Sequence, residues 1–317
     1  WLSLSIIINL SVLFYFKYAY FFADSFNQLV GTDWHPINHF ASLSNQLFST
    51  TFRVDQILLP VGISFFTFQT MSYSIDVYRN AVKPVKSIVD FGFYVSFFPQ
   101  LVAGPIVRAA NFIPQLYKPY CLTKKQFGIA LFWIMNGLLK KVILADYIAL
   151  NLVDRVFDNP ELFSGVENLM ALYGYSLQVY ADFSGYTDIA IGIALLLGFQ
   201  LPKNFDSPYK ADSWWNFWKR WHISLSSWLK DYLYIPMGGN RGGSVFTFVS
   251  LGFVALFLFF ISGSFYVLFY FLAGLIVALL IGLVLLGLDL FLWLFLEVLF
   301  LSYCFSQSFS GTSSKIF

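Results

Sequence analysis

The chain has 317 residues, of which 58% are hydrophobic, 21% aromatic and only 11% charged, too few charges for a soluble globular protein of this size. A formal net charge of +2 leaves no basic surface for nucleic acid. Two cysteines far apart, Cys121 and Cys304, give neither a disulfide framework nor a zinc-binding pair. The composition predicts an all-α polytopic membrane protein.

Apolar windows fall at 1–22, 57–78, 88–107, 127–150, 167–181, 185–201, 245–272 and 274–303. Each is close to the ~20 residues that cross a bilayer. The first window has no basic stretch before it, so no cleavable signal peptide is expected, and Trp1 reads as a fragment boundary or the start of an internal helix. The 23–56 loop is acidic, with Asp24, Asp33 and Asp55 against Arg53, and is expected outside the cytoplasm. Within it His35 and His39 stand four apart, but Pro36 opposes a helix at His35, and a solvated loop is expected rather than a metal site. The 79–86 loop carries Arg79, Lys83 and Lys86 with no acid, which places it in the cytoplasm.

Pro99, Gly104 and Pro105 interrupt the 88–107 window, and a broken or re-entrant helix is expected there. Lys140 and Lys141 end an apolar half-span; they read as an interfacial anchor or as the mouth of a cavity. Asp182 and Asp188 flank Gly185 and suggest a second break. Carboxylates at membrane depth must face a bundle interior or water, where they would line a substrate funnel; Asp182 or Ser184 could instead cap a helix starting near Gly185.

Five tryptophans and one histidine crowd residues 214–228, Trp-Trp-Asn-Phe-Trp-Lys-Arg-Trp-His-Ile-Ser-Leu-Ser-Ser-Trp. Indole rings and snorkelling lysine or arginine favour the bilayer boundary, so the block is expected at the interface, within a cytoplasmic 203–241 segment. His222, one of three histidines, is the candidate general base; the alternative is an anchoring histidine satisfied by backbone and headgroups. Ser224 and Asp231 lie near it without forming a hydrolase triad. The glycine-rich 238–243 stretch lacks a phosphate-loop ending and reads as a turn, although Arg241 could contact an anionic donor. After Ser244 the only charges are Asp289, Glu297 and Lys315, and the 244–317 part is expected to be divergent, truncated or misread.

In order along the chain stand Leu59-Pro-Val-Gly-Ile-Ser-Phe-Phe-Thr-Phe-Gln69, Phe97-Phe-Pro-Gln-Leu-Val-Ala-Gly-Pro-Ile106, Asp182-Phe-Ser-Gly-Tyr-Thr-Asp188, Asn204-Phe-Asp-Ser-Pro-Tyr209, the Trp-rich block and Tyr234-Ile-Pro-Met-Gly-Gly-Asn240. These ordered blocks resemble the membrane-bound O-acyltransferase family, in its alginate-acetylating branch. The resemblance implies one membrane-embedded domain over 1–317, a helical bundle with a central funnel, in the bacterial cytoplasmic (inner) membrane. It implies transfer of an acetyl or other acyl group from acetyl-CoA or a carrier thioester, as substrate and not as bound cofactor, to a polysaccharide hydroxyl outside. Periplasmic acetylation proteins would be partners. His222 matches the histidine of the family's Trp-x-x-Trp-His-x-Ser block, and Trp218, Trp221, Ser224, Asp182 and Asp188 become funnel candidates. Lys219, Arg220 and Arg241 become donor-contact candidates; no metal is implied. A second family histidine, usually in a Leu-Trp-His-Gly block, has no counterpart: the nearest echo is Ser262-Gly-Ser-Phe-Tyr266, and no histidine follows His222. That departure leaves a non-catalytic scaffold as the rival reading. Broken helices and buried acids would also suit a transporter, although the two halves show no self-similarity.

Overall fold

The computed structural model describes residues 1–241 apart from positions 52, 55, 56, 61, 102, 103 and 240, together with position 254. The expectations for residues 242–253 and 255–317, including the two last apolar windows and the 262–266 echo, lie outside the described residues. In chain order the helices are α1 (Leu2–Val30), α2 (His39–Phe48), α3 (Ile63–Tyr78), α4 (Ile88–Ser96), α5 (Phe98–Leu101), α6 (Ala109–Leu116), α7 (Lys124–Leu138), α8 (Asp154–Asp158), α9 (Gly165–Leu196), α10 (Trp214–Arg220) and α11 (Ile223–Leu229). No strand occurs among the described residues, as an all-α membrane protein requires.

Among the described residues, three helical rods are long and apolar enough to cross a membrane: Leu2–Val30, Lys124–Asp158 and Gly165–Leu196. The 57–78 window supplies only the 16-residue α3. At ~1.5 Å per residue that is about 24 Å, short of a ~30 Å hydrocarbon core.

The chain divides into two compact units. One comprises Trp1–Phe97 with Arg108–Ala110; the other comprises Phe98–Val107 and the described residues from Asn111 onward. In the first unit α1 and α3 are joined by a polar ladder. Ser5 Oγ meets Ser74 Oγ at 2.9 Å, and Thr70 Oγ1 donates to Asn9 Oδ1 at 2.5 Å. Both sides step by four residues, one helical turn, and small hydroxyls of this kind let apolar helices approach and bond without water. His35 is exposed beside Asp33 at 3.2 Å, and His39 opens α2; no cluster able to hold a metal occurs among the described residues.

The 88–107 window is broken as its prolines predict. Ser87 caps α4 by accepting from the N–H groups of Val89 and Asp90. The helix stops at Ser96, α5 covers one turn, and residues 104–108 are not helical.

In the second unit a long rod runs from α7 through π-helical stretches at Leu139–Asp146 and Ala149–Val153 into α8. Reciprocal caps fix the starts of both long helices: Thr123 with Gln126 for α7, Ser164 with Glu167 for α9. The two pack antiparallel around glycines. A Cβ on Gly137 would sit 2.5 Å from the Gly185 carbonyl oxygen, and one on Gly192 would sit 2.7 Å from that of Ala130. Gly185 is therefore a packing residue, not a break. α9 runs unbroken through Asp182 and Asp188 as a single 32-residue helix. This corrects the expectation of separate 167–181 and 185–201 spans and of a cap at Asp182 or Ser184.

A buried candidate site beside the middle of helix α9

Lys140 and Lys141 are consecutive, and within π-helical backbone they straddle α9 at Gly185. A Cβ added there would meet the Lys141 nitrogen at 3.1 Å and the Lys140 Cβ at 3.2 Å. Lys140 Nζ lies 2.6 Å from Asp188 Oδ2, which also accepts from Asn136 Nδ2 at 2.8 Å. Lys141 Nζ lies 2.7 Å from Asp182 and 2.8 Å from Asp146. These lysines are thus inside a continuous rod as counter-ions to Asp146, Asp182 and Asp188. Asp188 is buried and Lys140 half-buried beside it, whereas Asp182 is exposed. A half-exposed ion cluster midway along two spanning rods cannot face acyl chains and needs water or protein against it.

After α9 ends, the chain turns at Gly198, where φ is +88° and glycine is required. It then runs back along the helix. Phe199 stacks on Phe112 at 5.0 Å, Lys203 Nζ lies 5.9 Å from the Trp133 ring, and the Tyr209 hydroxyl donates to the Ser176 carbonyl at 2.9 Å. Ser176 is 20 residues before Leu196, roughly 30 Å along the helix at ~1.5 Å per residue.

The Trp-rich block consequently packs on the middle of α9. Trp221, nearly fully buried, stacks on Phe217 (5.6 Å, 18°) and meets Phe205 edge-on at 5.1 Å; Tyr180 of α9 completes the group at 6.1 Å. Aromatic residues suit a boundary, but here edge-on and stacked contacts give the rings a packed protein environment.

His222 sits inside this group, 6% exposed. Its ring meets Phe183 edge-on at 4.8 Å and lies parallel to Phe205 at 6.3 Å. Burial pushes the imidazole pKa down to about 3, so the ring is neutral at ordinary pH. Nε2 has no hydrogen-bond partner among the described residues. The backbone is unusual as well: His222 has φ +43°, in the left-handed region, and occupies the N-cap position of α11 without capping it by its side chain.

That duty falls to Asn204, a residue sequence reasoning did not single out. Its main-chain oxygen accepts from Ile223 N–H at 2.9 Å, and its Oδ1 accepts from Ser224 N–H at 3.2 Å and Ser224 Oγ–H at 2.9 Å. The Ser224 hydroxyl in turn accepts from Ile106 N–H at 3.0 Å, tying in the non-helical strip after Gly104. Irregular backbone at this depth survives because its polar groups are matched in this way. The Ser224 oxygen is engaged both as donor and as acceptor and is not poised as a nucleophile.

The remaining candidates spread outward. Trp218 is half-buried and edge-on to Phe217 at 5.3 Å. Arg220 Nε donates to Asn216 Oδ1 at 2.9 Å and Nη1 to the Asp206 carbonyl at 3.3 Å, so it braces the returning segment. Lys219 is exposed, its Nζ 5.0 Å from the Trp215 ring. Arg241 is exposed, with its N–H bonded to the Gly238 carbonyl. A surface cavity of about 350 Å³ opens between Ser176, Tyr209, Asp212, Ser213 and Phe217. Donation from Asn216 and then Ser213 holds the Asp212 carboxyl below the usual range. Phe217 forms a wall of this cavity and stacks on Trp221, the neighbour of His222.

Comparison with known proteins gives this arrangement a context. A profile of the membrane-bound O-acyltransferase family matches residues 9–283. A probable alginate O-acetylase of Azotobacter vinelandii is 42% identical over 252 residues, covering 79% of this chain and 47% of that protein. A peptidoglycan O-acetyltransferase of Helicobacter pylori is 40% identical over 267 residues, covering 76% and 47%. A teichoic acid D-alanyltransferase of Bacillus subtilis is 31% identical over 183 residues, covering 55% and 45%. The chain spans about half the length of these relatives.

Proposed function

This chain belongs to the membrane-bound O-acyltransferase family, and on that premise we propose that it transfers an acyl group from a thioester to a saccharide hydroxyl at His222. The observation that carries the reading is the buried, neutral imidazole whose Nε2 lacks a partner among the described residues. A protein that buries a polar atom unmatched gives up about 1–3 kcal/mol, and a bound group that supplies the missing hydrogen bond recovers it.

A conjugate acid with a pKa near 3 does not hold a proton at neutral pH. His222 therefore acts by accepting a hydrogen bond from the acceptor hydroxyl, aiming its oxygen at the thioester carbonyl. As the C–O bond forms and the C–S bond breaks, the hydroxyl proton passes to the departing sulfur, whose thiol has a pKa near ~8.5. Acetyl-CoA or a carrier thioester is the donor, and nothing is consumed besides donor and acceptor.

The charge at the two ends of the α7–α9 pair supports an orientation. Lys118, Lys124 and Lys125 cluster where α7 begins, and the Tyr120 hydroxyl bonds to Leu196 at the end of α9. The opposite turn carries Asp154, Asp158, Glu161 and Glu167 against Arg155. Basic ends stay in the cytoplasm. The donor then enters from the Leu196 end and the acceptor from the 159–164 turn, with His222 between them in a bacterial cytoplasmic membrane. Extracytoplasmic acetylation proteins would receive or place the product.

Acyl transfer from a radiolabelled thioester to polysaccharide in proteoliposomes tests the reading. Wild-type chain is expected to transfer label and His222→Ala to lose at least a hundredfold; equal transfer by both would sink it. The second reading, a non-catalytic scaffold, is favoured by the lack of any histidine in residues 223–317. It predicts no transfer by pure protein, yet loss of polysaccharide acetylation in cells deprived of the chain.

A further inference from the structure

We propose that Asn204 is the positioning residue for His222: it caps α11 in place of the imidazole and thereby leaves Nε2 free. The inference rests on the reading of His222 as the reacting group, and its own support is geometric.

An N-cap residue ordinarily bends its side chain back to the first N–H groups of its helix. His222 stands at that position, and an imidazole folded onto the α11 N–H groups would have its acceptor nitrogen consumed. Instead two residues of the returning segment do the work. The Asn204 carbonyl takes the Ile223 N–H, and the Asn204 amide oxygen takes the Ser224 N–H and hydroxyl. Phe205, next in the chain, lies parallel to the imidazole, so the segment that caps the helix also sets the plane of the ring. The left-handed φ of His222 turns the chain between α10 and α11 at this point. Asn204 is 1% exposed, and its Nδ2 is the one arm with no partner among the described residues. Replacing Nδ2 by oxygen therefore removes no hydrogen bond, and Asn204→Asp separates the cap, which it keeps, from charge, which it adds beside the ring.

The charged groups on the surrounding elements are engaged elsewhere. On α9, Asp188 pairs with Lys140 and Asp182 with Lys141; on α10, Arg220 braces Asn216; Asp212 accepts from Asn216 and Ser213. Lys203 leans on Trp133, and the Asp206 side chain is exposed. A carboxylate at position 204 would be the new charge that the imidazole feels.

The 317-residue sequence has three histidines, of which His35 is exposed and His39 starts α2. Carbon-13 labelling of the imidazole Cε1 thus yields three signals, which a His222→Gln sample assigns. In the wild type the His222 signal is expected to stay at its neutral position down to pH 4. In Asn204→Asp it is expected to titrate at least two pH units higher than in the wild type, with the protein still folded. In Asn204→Ala the cap is lost, and the signal is expected to titrate near the ordinary histidine value. A His222 signal unmoved by either substitution in folded protein would overturn the proposal. The readout needs no turnover, so a wild type without acyl-transfer activity would overturn the functional reading alone.

Discussion

The α7–α9 hairpin and the segment that returns along it solve the same problem in opposite ways. In the hairpin, helices carry charge at mid-span in matched sets: buried Asp188 with Lys140 and Asn136, exposed Asp182 with Lys141. In the returning segment the backbone is irregular, its amides are matched by Asn204 and Ser224, and the buried atoms without a hydrogen-bond partner among the described residues include His222 Nε2 and Asn204 Nδ2. Matched charge holds a scaffold. Unmatched polar atoms held rigid beside it make a place for chemistry.

Acid sharpens this contrast most. The folded state keeps His222 neutral to about pH 3, whereas an unfolded histidine protonates near 6.5. The unfolded chain then binds more protons between these values, so stability is full above pH 6.5 and falls as pH drops towards 3. At ~1.36 kcal/mol per unit the loss approaches about 5 kcal/mol. Chemical denaturation of detergent-solubilised protein across that range should show this slope in the wild type and a much shallower one in His222→Asn, which also tolerates the left-handed backbone.

Next comes the ion pair. Lys140→Met strands Asp188 in a buried site and should cost about 3–4 kcal/mol, while Lys140→Met with Asp188→Leu should recover most of that. Failure of the double substitution to recover stability would show that the pair contributes more than mutual neutralisation. Smallest is Gly185→Ala. Its methyl would enter space held by the Gly137 carbonyl, 2.8 Å away, and should cost about 2 kcal/mol in thermal or denaturant unfolding. A neutral result would mean that the two rods pack more loosely than these contacts require.

The sequence made the helical class legible through apolar windows, and the break after Ser96 through Pro99, Gly104 and Pro105. It made His222 legible because a lone imidazole among tryptophans is conspicuous. The continuity of α9 was not legible, because the lysine that neutralises Asp188 lies 48 residues away and reaches it through helix pairing. Read locally, two carboxylates around a glycine look like a break. The packing of the Trp-rich block on α9 was hidden for a related reason. Indoles suit a bilayer boundary and a packed aromatic core equally, and only the course of residues 199–209 decides between them. Asn204 lay within a quoted motif, and the signal was there: an amide side chain next to an aromatic residue in a segment that must be matched without water. Its cap is long-range, so helix-start rules applied along the chain could not find it.

The central claim is that this segment returns to the middle of α9, bringing His222 with it. Cysteine pairs in a background lacking Cys121 and Cys304 test it with a short thiol-to-thiol cross-linker in native membranes. Ser176→Cys with Tyr209→Cys, positions joined by a side-chain hydrogen bond in the wild type, should link efficiently. Leu196→Cys with Tyr209→Cys, roughly 30 Å apart along the helix, should not. Linking of the second pair and not the first would put the block at the end of the helix and contradict the account.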